Sequence, residues 1–241
     1  MKFLSFRAGG KDSYGVLVEE NGVYDLGKRF GKKYPSLRSA LKANKLNELR
    51  KAAKGKKPDL KLSRVTLRPP IPNMAPKIIC VGLNYREHQQ ETGRSPTDHP
   101  TLFVRFPDSQ TGHRCPVIKP AHSREFDYEG ELAVIIGKPG KSIPRAKAYD
   151  HVWGYSIVND VTARDLQQAH RQWFVGKGFD TFCPMGPWIV TEDEIADPHA
   201  LDISLEIGGE TLQKSNTREL VFQIPRLVEY VSSAVTLEPG D

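Results

Sequence analysis

The chain has 241 residues, with 35 Lys and Arg against 29 Asp and Glu, 38% hydrophobic residues and three cysteines. A chain of this length buries enough apolar surface to fold without disulfides or a structural metal. No apolar run reaches the roughly 18 residues that a membrane span needs, and the first residues lack the apolar core of a signal peptide. We therefore predict a soluble, cytoplasmic protein with no membrane partner.

The formal net charge of +6 is unevenly distributed. Residues 1–68 carry 18 basic and 6 acidic side chains, whereas residues 69–241 carry 17 basic and 23 acidic ones. The basic segment 28–68, whose only acids are Glu48 and Asp59, allows the alternative of a polyanion-binding module. It offers few aromatic side chains for base stacking and no recognition signature. We favour a solvated basic helix face and predict no nucleic-acid partner.

The first residues predict three β-strands joined by two turns. Runs rich in β-branched and aromatic residues are separated by Gly9-Gly10-Lys11-Asp12 and by Glu20-Asn21-Gly22, and Asn-Gly between such runs is a strong hairpin signal. The predicted strands are 2–7, 14–19 and 23–26.

The spacing then changes to a helical period. Ser36 is a suitable N-cap, and Gly55 a suitable stop, for one amphipathic helix or two short ones. The leucines that define the period are Leu37, Leu41, Leu46 and Leu49.

A proline-rich stretch at 69–76 follows a predicted strand at 60–67 and interrupts regular structure. We place a domain boundary there, between a small basic α+β domain of residues 1–70 and a larger domain of residues 71–241. The larger domain has no regular βαβ spacing, which predicts a β-rich α+β fold. Its predicted strands are 78–81, 102–106, 132–136, 151–159, 188–190 and 203–207.

Three acidic residues lie at the ends of two predicted strands. Glu129 and Glu131 are two residues apart, so they share one face if Glu129 opens its strand. Asp160 follows the strand 151–159 and precedes the helix-like segment 161–167. Each has a plainer interpretation, as an exposed strand end or a helix N-cap. Together, the three carboxylates predict an oxygen-only site for Mg²⁺ or Mn²⁺, with Ca²⁺ also compatible.

Two other segments contain candidate catalytic residues. His88 and Glu91 are three residues apart, so on a helix they share a face, and Glu91 could orient His88 as a general base acting on water. Lys177 lies between Gly176 and Gly178, where a rigid loop could hold its ammonium against a carboxylate or an enolate. A solvated surface pair and an ordinary turn lysine are the alternatives.

From about residue 76 to residue 241 the sequence resembles the fumarylacetoacetate hydrolase family. Five stretches match in the family's order. They are Ile78-Ile79-Cys80-Val81-Gly82-Leu83-Asn84-Tyr85, Asp127-Tyr128-Glu129-Gly130-Glu131-Leu132, Asn159-Asp160 with Ala163-Arg164-Asp165-Leu166-Gln167, Gly176-Lys177, and Gly186-Pro187-Trp188.

The resemblance implies a folded-over roll of mixed β-sheets that assembles as a homodimer. It places the divalent metal on Glu129, Glu131 and Asp160. It also implies that His88 and Glu91 activate water and that Lys177 stabilises an oxyanion. The implied substrate contacts are Tyr85, Arg105, Arg164 and Gln167.

Two departures from the family pattern follow. Many relatives have a lysine where this chain has Arg105, which would change how a substrate carboxylate is held. Family members also continue beyond the position of Asp241 with a strand and a Gly-Thr-Pro segment, so we expect the present sequence to lack part of the family's C-terminal region.

The resemblance implies a metal-dependent hydrolase that cleaves a carbon–carbon bond in a 2,4-dioxo acid, an acylpyruvate such as fumarylpyruvate. Water activated by His88 would attack the distal carbonyl, and pyruvate would leave as its enolate. A decarboxylase of oxaloacetate and an isomerase of a 2-hydroxydienoate are alternatives on the same site. A non-catalytic scaffold is the alternative outside the enzymes.

Overall fold

The computed structural model describes residues 1–72, 77–87 and 98–241. Most of its strands join one nine-stranded sheet, with the order β10-β11-β13-β1-β2-β3-β4; β5 pairs with β1, and β8 pairs with β13. The β8–β13 pair is parallel and its other pairs are antiparallel. The strands are β1 (Lys2–Ala8), β2 (Lys11–Val18), β3 (Gly22–Asp25), β4 (Leu60–Lys61), β5 (Thr66–Leu67), β6 (Ile78–Gly82), β7 (Thr101–Arg105), β8 (Gln110–Gly112), β9 (Phe126–Asp127), β10 (Gly130–Ile136), β11 (Val152–Asn159), β12 (Thr162–Ala163), β13 (Cys183–Thr191), β14 (Asp202–Ile207) and β15 (Glu210–Asn216).

The remaining strands form three pairs, β6–β7, β9–β12 and β14–β15. The helices of the described residues are short; all but the last lie between strands in the chain, and the last follows β15. They are α1 (Gly27–Phe30), α2 (Leu37–Lys42), α3 (Leu46–Ala53), α4 (Arg164–Ala169), α5 (Phe174–Lys177) and α6 (Ile224–Ala234). Mixed helices and mainly antiparallel sheets confirm the predicted α+β class. None of the helices within the described ranges is long and apolar enough to span a membrane.

The N-terminal hairpins and helices follow the predicted pattern. Gly9 and Gly10 both have positive φ in the first turn, a conformation that glycine adopts without steric cost. The predicted helical region forms the two short helices α2 and α3. Ser36 caps α2, since its Oγ accepts a hydrogen bond from the Ser39 backbone N–H at 3.1 Å and Ser39 Oγ accepts one from Ser36 N–H.

Two predicted elements are wrong in detail. The strand predicted at 60–67 is two short strands separated by a 3₁₀ turn, because β4 pairs with β3 whereas β5 pairs with β1, so the chain must cross between them. The helix-like segment 161–167 begins as strand β12, which pairs with β9, and becomes helical only at Arg164.

The core is continuous between the N-terminal segment and the later strands. Phe3 on β1 contacts Trp153 on β11, with ring centroids 5.3 Å apart. Leu37, Leu41 and Leu49 of the two helices belong to the same buried cluster. A second cluster packs α6 against strands β10 and β11. The division into domains at residue 70 stays a prediction, and the large sheet includes strands from both segments.

Candidate active site

Strand register brings the three predicted carboxylates to one edge of the sheet. Strands β10 and β11 are antiparallel, with Gly130 opposite Asn159, so the start of β10 lies beside the end of β11. Glu129 precedes β10 and Asp160 follows β11, and the Asp160 N–H donates to the Glu129 carbonyl oxygen at 2.7 Å. Glu131 is the second residue of β10, on the cavity side.

Lys177 joins two of these carboxylates. Its Nζ donates to Glu129 Oε2 at 2.8 Å and to Asp160 Oδ2 at 2.6 Å, and its side chain is only 2% exposed. The ammonium also lies 5.1 Å from the centroid of the Phe103 ring. The lysine predicted from its glycine neighbours therefore lies in the carboxylate cluster and not in a surface turn.

A close backbone contact fixes the position of Lys177. It is the last residue of α5, and Gly176 before it lies against Gln167 of α4. A Cβ at Gly176 would come within 2.7 Å of the Gln167 backbone nitrogen and within 2.6 Å of its Cα. Only glycine permits this approach, and the approach carries Lys177 toward the ends of β10 and β11.

Arg105 holds Asp160 from the opposite side. The guanidinium is fully buried; its Nε donates to Asp160 Oδ1 at 2.5 Å, and its Nη2 donates to the Val161 carbonyl oxygen at 2.7 Å. Its Nη1 is buried and has no hydrogen-bond partner within the described part of the chain. Arg105 therefore fixes the orientation of Asp160 and retains one free donor nitrogen.

Arg164 and Gln167 support the cluster from α4. Arg164 pairs with Asp127 and with Glu129, each at 2.7 Å, and its Nη1 donates to Gln167 Oε1 at 3.0 Å. In this structure both side chains contact protein groups of the site, and their assignment as substrate contacts stays a prediction. Thr162, which the sequence analysis did not single out, donates to Glu129 Oε1 at 3.3 Å.

A cavity of about 230 Å³ opens on the face of the large sheet where Glu131 points. Glu131, Asp160, Tyr85 and Gln110 contribute polar groups, and most of the wall is apolar. Tyr85 Oη and Gln110 Oε1 are buried without a hydrogen-bond partner among the described residues. Gln110 lines the cavity without any motif to mark it in the sequence, since a lone glutamine in a short strand carries none.

The cavity disfavours the negatively charged forms of its acidic side chains unless a cation lies close to them. Burial, together with the neighbouring Glu129 and Asp160 carboxylates, raises the pKa of Glu131 to about 8. Burial, and then Glu131, raises the pKa of Tyr85 as well. Burial also raises the pKa of Cys183 to about 12, so this wall thiol is protonated at neutral pH and is a poor nucleophile.

The donor atoms of the site are of the type that a divalent metal ion prefers, carboxylate oxygens with no histidine or thiolate among them. Glu131 makes no hydrogen bond or ion pair within the described part of the chain and lies in the field of two like charges. Cations already compensate Glu129 and Asp160. Across residues 1–72, 77–87 and 98–241, no three His, Cys, Asp or Glu side chains are grouped closely enough to hold a metal. The chemistry of the oxygen donors therefore suits a hard ion, whereas their arrangement in this structure has Lys177 between two of them.

His88 and Glu91 lie outside the described residues, so the predicted water-activating pair stays a prediction.

Asp160 is not the N-cap of a helix, which was the plainer interpretation of its position in the sequence. Ala163 occupies the N-cap position of α4, and Asp160 instead pairs with Arg105 and Lys177.

Comparison with known proteins identifies relatives of the chain. A family model described as fumarylacetoacetate (FAA) hydrolase C-terminal matches residues 77–241. The chain is 46% identical over 185 residues to the oxaloacetate tautomerase YisK of Bacillus subtilis, covering 75% of this chain and 61% of that protein. It is 44% identical over 197 residues to the mitochondrial oxaloacetate tautomerase Fahd2a of Rattus norvegicus, covering 81% and 63%. The chain therefore spans about three fifths of the length of these curated relatives.

A solved structure of the same fold is the maleylpyruvate hydrolase from Sphingobium sp. SYK-6 in complex with manganese(II) and pyruvate. It aligns with a TM-score of 0.82 at 31% sequence identity, covering 100% of this chain and 86% of that one. Because the family model covers well over half of the sequence, the chain belongs to the fumarylacetoacetate hydrolase family.

Proposed function

We propose that this protein is a divalent-metal-dependent enzyme that interconverts the keto and enol forms of a 2-oxo acid, with oxaloacetate as substrate. One observation carries the proposal: the buried ammonium of Lys177 lies between the Glu129 and Asp160 carboxylates, and Asp160 lines the cavity. Such a cation is placed to stabilise a developing enolate. Two curated relatives that share 46% and 44% identity with the chain carry the name oxaloacetate tautomerase.

The reaction moves one proton and leaves the atom count unchanged. The C3–H bond breaks, its electron pair becomes the C2=C3 double bond, and the carbonyl oxygen at C2 gains a proton. A divalent ion held by Glu129, Glu131 and Asp160 would polarise the C2 carbonyl and stabilise negative charge on its oxygen. Lys177 would donate an N–H to the same oxygen as that charge develops.

The surrounding residues keep this arrangement rigid. Arg105 fixes Asp160, and Arg164 fixes Glu129, through ion pairs of 2.5 and 2.7 Å. Apolar walls of the cavity exclude water, which strengthens each of these interactions. On the sequence prediction alone, we propose that His88, oriented by Glu91, accepts the proton from C3.

A second candidate is the hydrolysis of an acylpyruvate, favoured by the likeness to a maleylpyruvate hydrolase whose structure holds manganese and pyruvate. Both reactions pass through an enolate of a 2-oxo acid, and hydrolysis additionally needs an activated water. Decarboxylation of oxaloacetate and isomerisation of a 2-hydroxydienoate pass through the same kind of enolate. The predicted homodimer and the predicted cytoplasmic location remain predictions.

A substrate panel distinguishes the candidates. Purified chain with Mg²⁺ or Mn²⁺ is assayed for loss of the oxaloacetate enol absorbance, for pyruvate release from maleylpyruvate and fumarylpyruvate, and for CO₂ release. The proposal expects tautomerisation to be the fastest of the three, and H88A to lower it. Fast acylpyruvate hydrolysis with no acceleration of tautomerisation would support the second candidate and overturn the first.

A further inference from the structure

Gln110 has a buried polar group in the cavity wall that no group of the described residues satisfies. It is the first residue of β8, and its Oε1 is buried with no hydrogen-bond partner among the residues that the structure describes. Leaving a buried amide oxygen unpaired is destabilising, because the oxygen loses its hydrogen bonds to water and gains none in return. A cost of this kind is usually recovered when a ligand supplies the missing partner.

Strand register places Gln110 on the same face as the catalytic carboxylates. Gln110 is opposite Cys183 on β13; two residues further along β13, Met185 is opposite Val158 on β11, and Val158 is opposite Glu131 on β10. Directly opposed residues point to the same side of a sheet, as do residues two apart. All five line the cavity.

The residues between the two ends are apolar. Cys183, Met185 and Val158 separate Gln110 from Glu131 on this face, and the pKa of the Cys183 thiol is raised, so it carries no charge at neutral pH. Three strand spacings and the two-residue offset along β13 place the Gln110 and Glu131 backbones roughly 16 Å apart. If the two side chains lean toward each other along this face, the remaining gap is one that an extended short-chain diacid could bridge.

Charge decides which end of a diacid each group takes. The cluster of Glu129, Glu131 and Asp160 would repel a second carboxylate of the substrate, because like charges in a poorly solvated cavity interact strongly. Gln110 is neutral and lies three strand spacings from Glu131. Rotation of its carboxamide by half a turn exchanges the oxygen with the NH₂ group, which can donate to a carboxylate.

We propose that Gln110 is a specificity-determining residue that binds the distal carboxylate of a 2-oxo diacid, so that the site prefers diacids to 2-oxo monoacids. This inference rests on the proposed function and deepens it. Tyr85, whose hydroxyl is also unpaired in the described part of the chain, lies in the field of Glu131 and belongs to the other end of the cavity.

The test compares Q110L and Q110E with wild type on two substrates, oxaloacetate and 2-oxobutyrate, by deuterium exchange at C3 in the presence of Mg²⁺. Q110L should raise the KM for oxaloacetate by roughly tenfold to a hundredfold, the loss of a hydrogen bond to a charged group, and leave 2-oxobutyrate unchanged. Q110E should raise it further by repulsion. The matched control is Q172L, the same substitution at an exposed glutamine, which should leave both substrates unaffected.

The thermal stability of Q110L distinguishes a role in substrate binding from a purely structural role of Gln110, because the two roles predict opposite changes. Replacing an unpaired buried amide by leucine should leave the thermal midpoint unchanged or raise it. If Q110L lowers the midpoint and impairs both substrates equally, or impairs neither, the assignment of Gln110 is wrong.

Measurements of ligand binding show whether the role of Gln110 or the proposed function has failed. If wild type catalyses exchange on neither substrate, the proposed function fails, and calorimetric titration with 2-oxoglutarate and 2-oxobutyrate then decides the role of Gln110. Selective weakening of 2-oxoglutarate binding in Q110L supports the inference. Equal affinities of wild type and Q110L for 2-oxoglutarate, or no binding of it to wild type, overturn it.

Discussion

Lys177 is the residue on which the chemistry of the site most depends. It is nearly fully buried and pairs with both Glu129 and Asp160. We predict that K177M lowers the rate of oxaloacetate tautomerisation by about a hundredfold to a thousandfold, as removal of an oxyanion donor does. The initial rate of enol loss at saturating metal and substrate measures this effect.

The same substitution leaves two carboxylates without their shared cation, which is costly in a buried site. K177M should therefore also lower the urea midpoint, and K177R, which keeps the charge, serves as the control that separates the two effects. A K177M protein that is destabilised but catalyses at the wild-type rate would show that Lys177 is only structural.

The sequence predicted the acidic residues and the lysine of the site, but not the side chains with which they form ion pairs. Glu129, Glu131 and Asp160 lie at recognisable strand ends, so their convergence could be predicted. The ion pair between Arg105 and Asp160 joins residues 55 positions apart, and no local pattern encodes it. Gln110 lacks any motif and becomes visible only through strand register.

Among the elements, helix α5 positions the site through its contact with α4. A Cβ at Gly176 would overlap backbone atoms of Gln167 that cannot move independently of the helix. We predict that G176A destabilises the fold by about 1–3 kcal/mol, as overpacking does, and displaces Lys177 enough to reduce activity. Urea unfolding and the tautomerase rate measure the two effects.

The control for G176A is V175A, at the exposed neighbouring residue of the same helix. It should leave both stability and rate close to those of wild type. Wild-type activity in G176A would mean that the approach of α5 to α4 is unnecessary for the site.

The bidentate ion pair of Arg29 with Asp59 ties α1 to the chain entering β4. Arg29 lowers the pKa of Asp59 below its ordinary value. A lowered folded-state pKa adds stability that is fully present above the unfolded pKa of about 3.9 and is lost as the pH falls through the folded value. We predict that D59N costs about 0.5–1 kcal/mol at pH 7, a value discounted for partial exposure.

The difference between D59N and wild type should shrink below about pH 4, as Asp59 becomes protonated. Urea unfolding of both proteins at several pH values between 7 and 3.5 measures it. A difference that stays constant over this range would contradict the assigned charge interaction.

Sequence patterns predicted the helices and strands correctly where all the residues of a pattern are neighbours in the chain. The Asn21-Gly22 hairpin and the Ser36 cap need only neighbouring residues. Strand β13 was predicted only at 188–190 yet extends over Cys183–Thr191, because Pro184, Gly186 and Pro187 obscure the strand pattern. Its pairing with β1, in which Lys2 lies opposite Val190, is a contact between distant segments that periodicity cannot reveal.

Over the whole molecule, one sheet and one core connect the N-terminal segment to the strands of the site. Because Phe3 packs on Trp153 and β1 pairs with β13, we predict a single cooperative unfolding transition. Urea curves followed by far-ultraviolet circular dichroism and by tryptophan fluorescence should coincide. Two separated transitions would show that residues 1–70 unfold as an independent domain.

The net charge also has a different meaning at this scale. Part of the basic N-terminal charge is paired with acidic groups of later residues, as where Arg50 contacts Glu192 and Asp193 in the 3₁₀ turn that follows β13. Some of the positive charge of residues 1–68 is therefore neutralised by ion pairs within the protein. This agrees with our interpretation of the basic segment as a solvated helix face.

The proposed function requires that Glu131, with Glu129 and Asp160, hold a metal that supports enolisation of a 2-oxo acid. Deuterium exchange at C3 of oxaloacetate, measured at saturating Mg²⁺ for wild type and for E131Q, tests this requirement. We predict fast exchange by wild type and, in E131Q, a rate close to that of Mg²⁺ in buffer. Exchange by wild type no faster than that of Mg²⁺ alone, or wild-type exchange in E131Q, would contradict it.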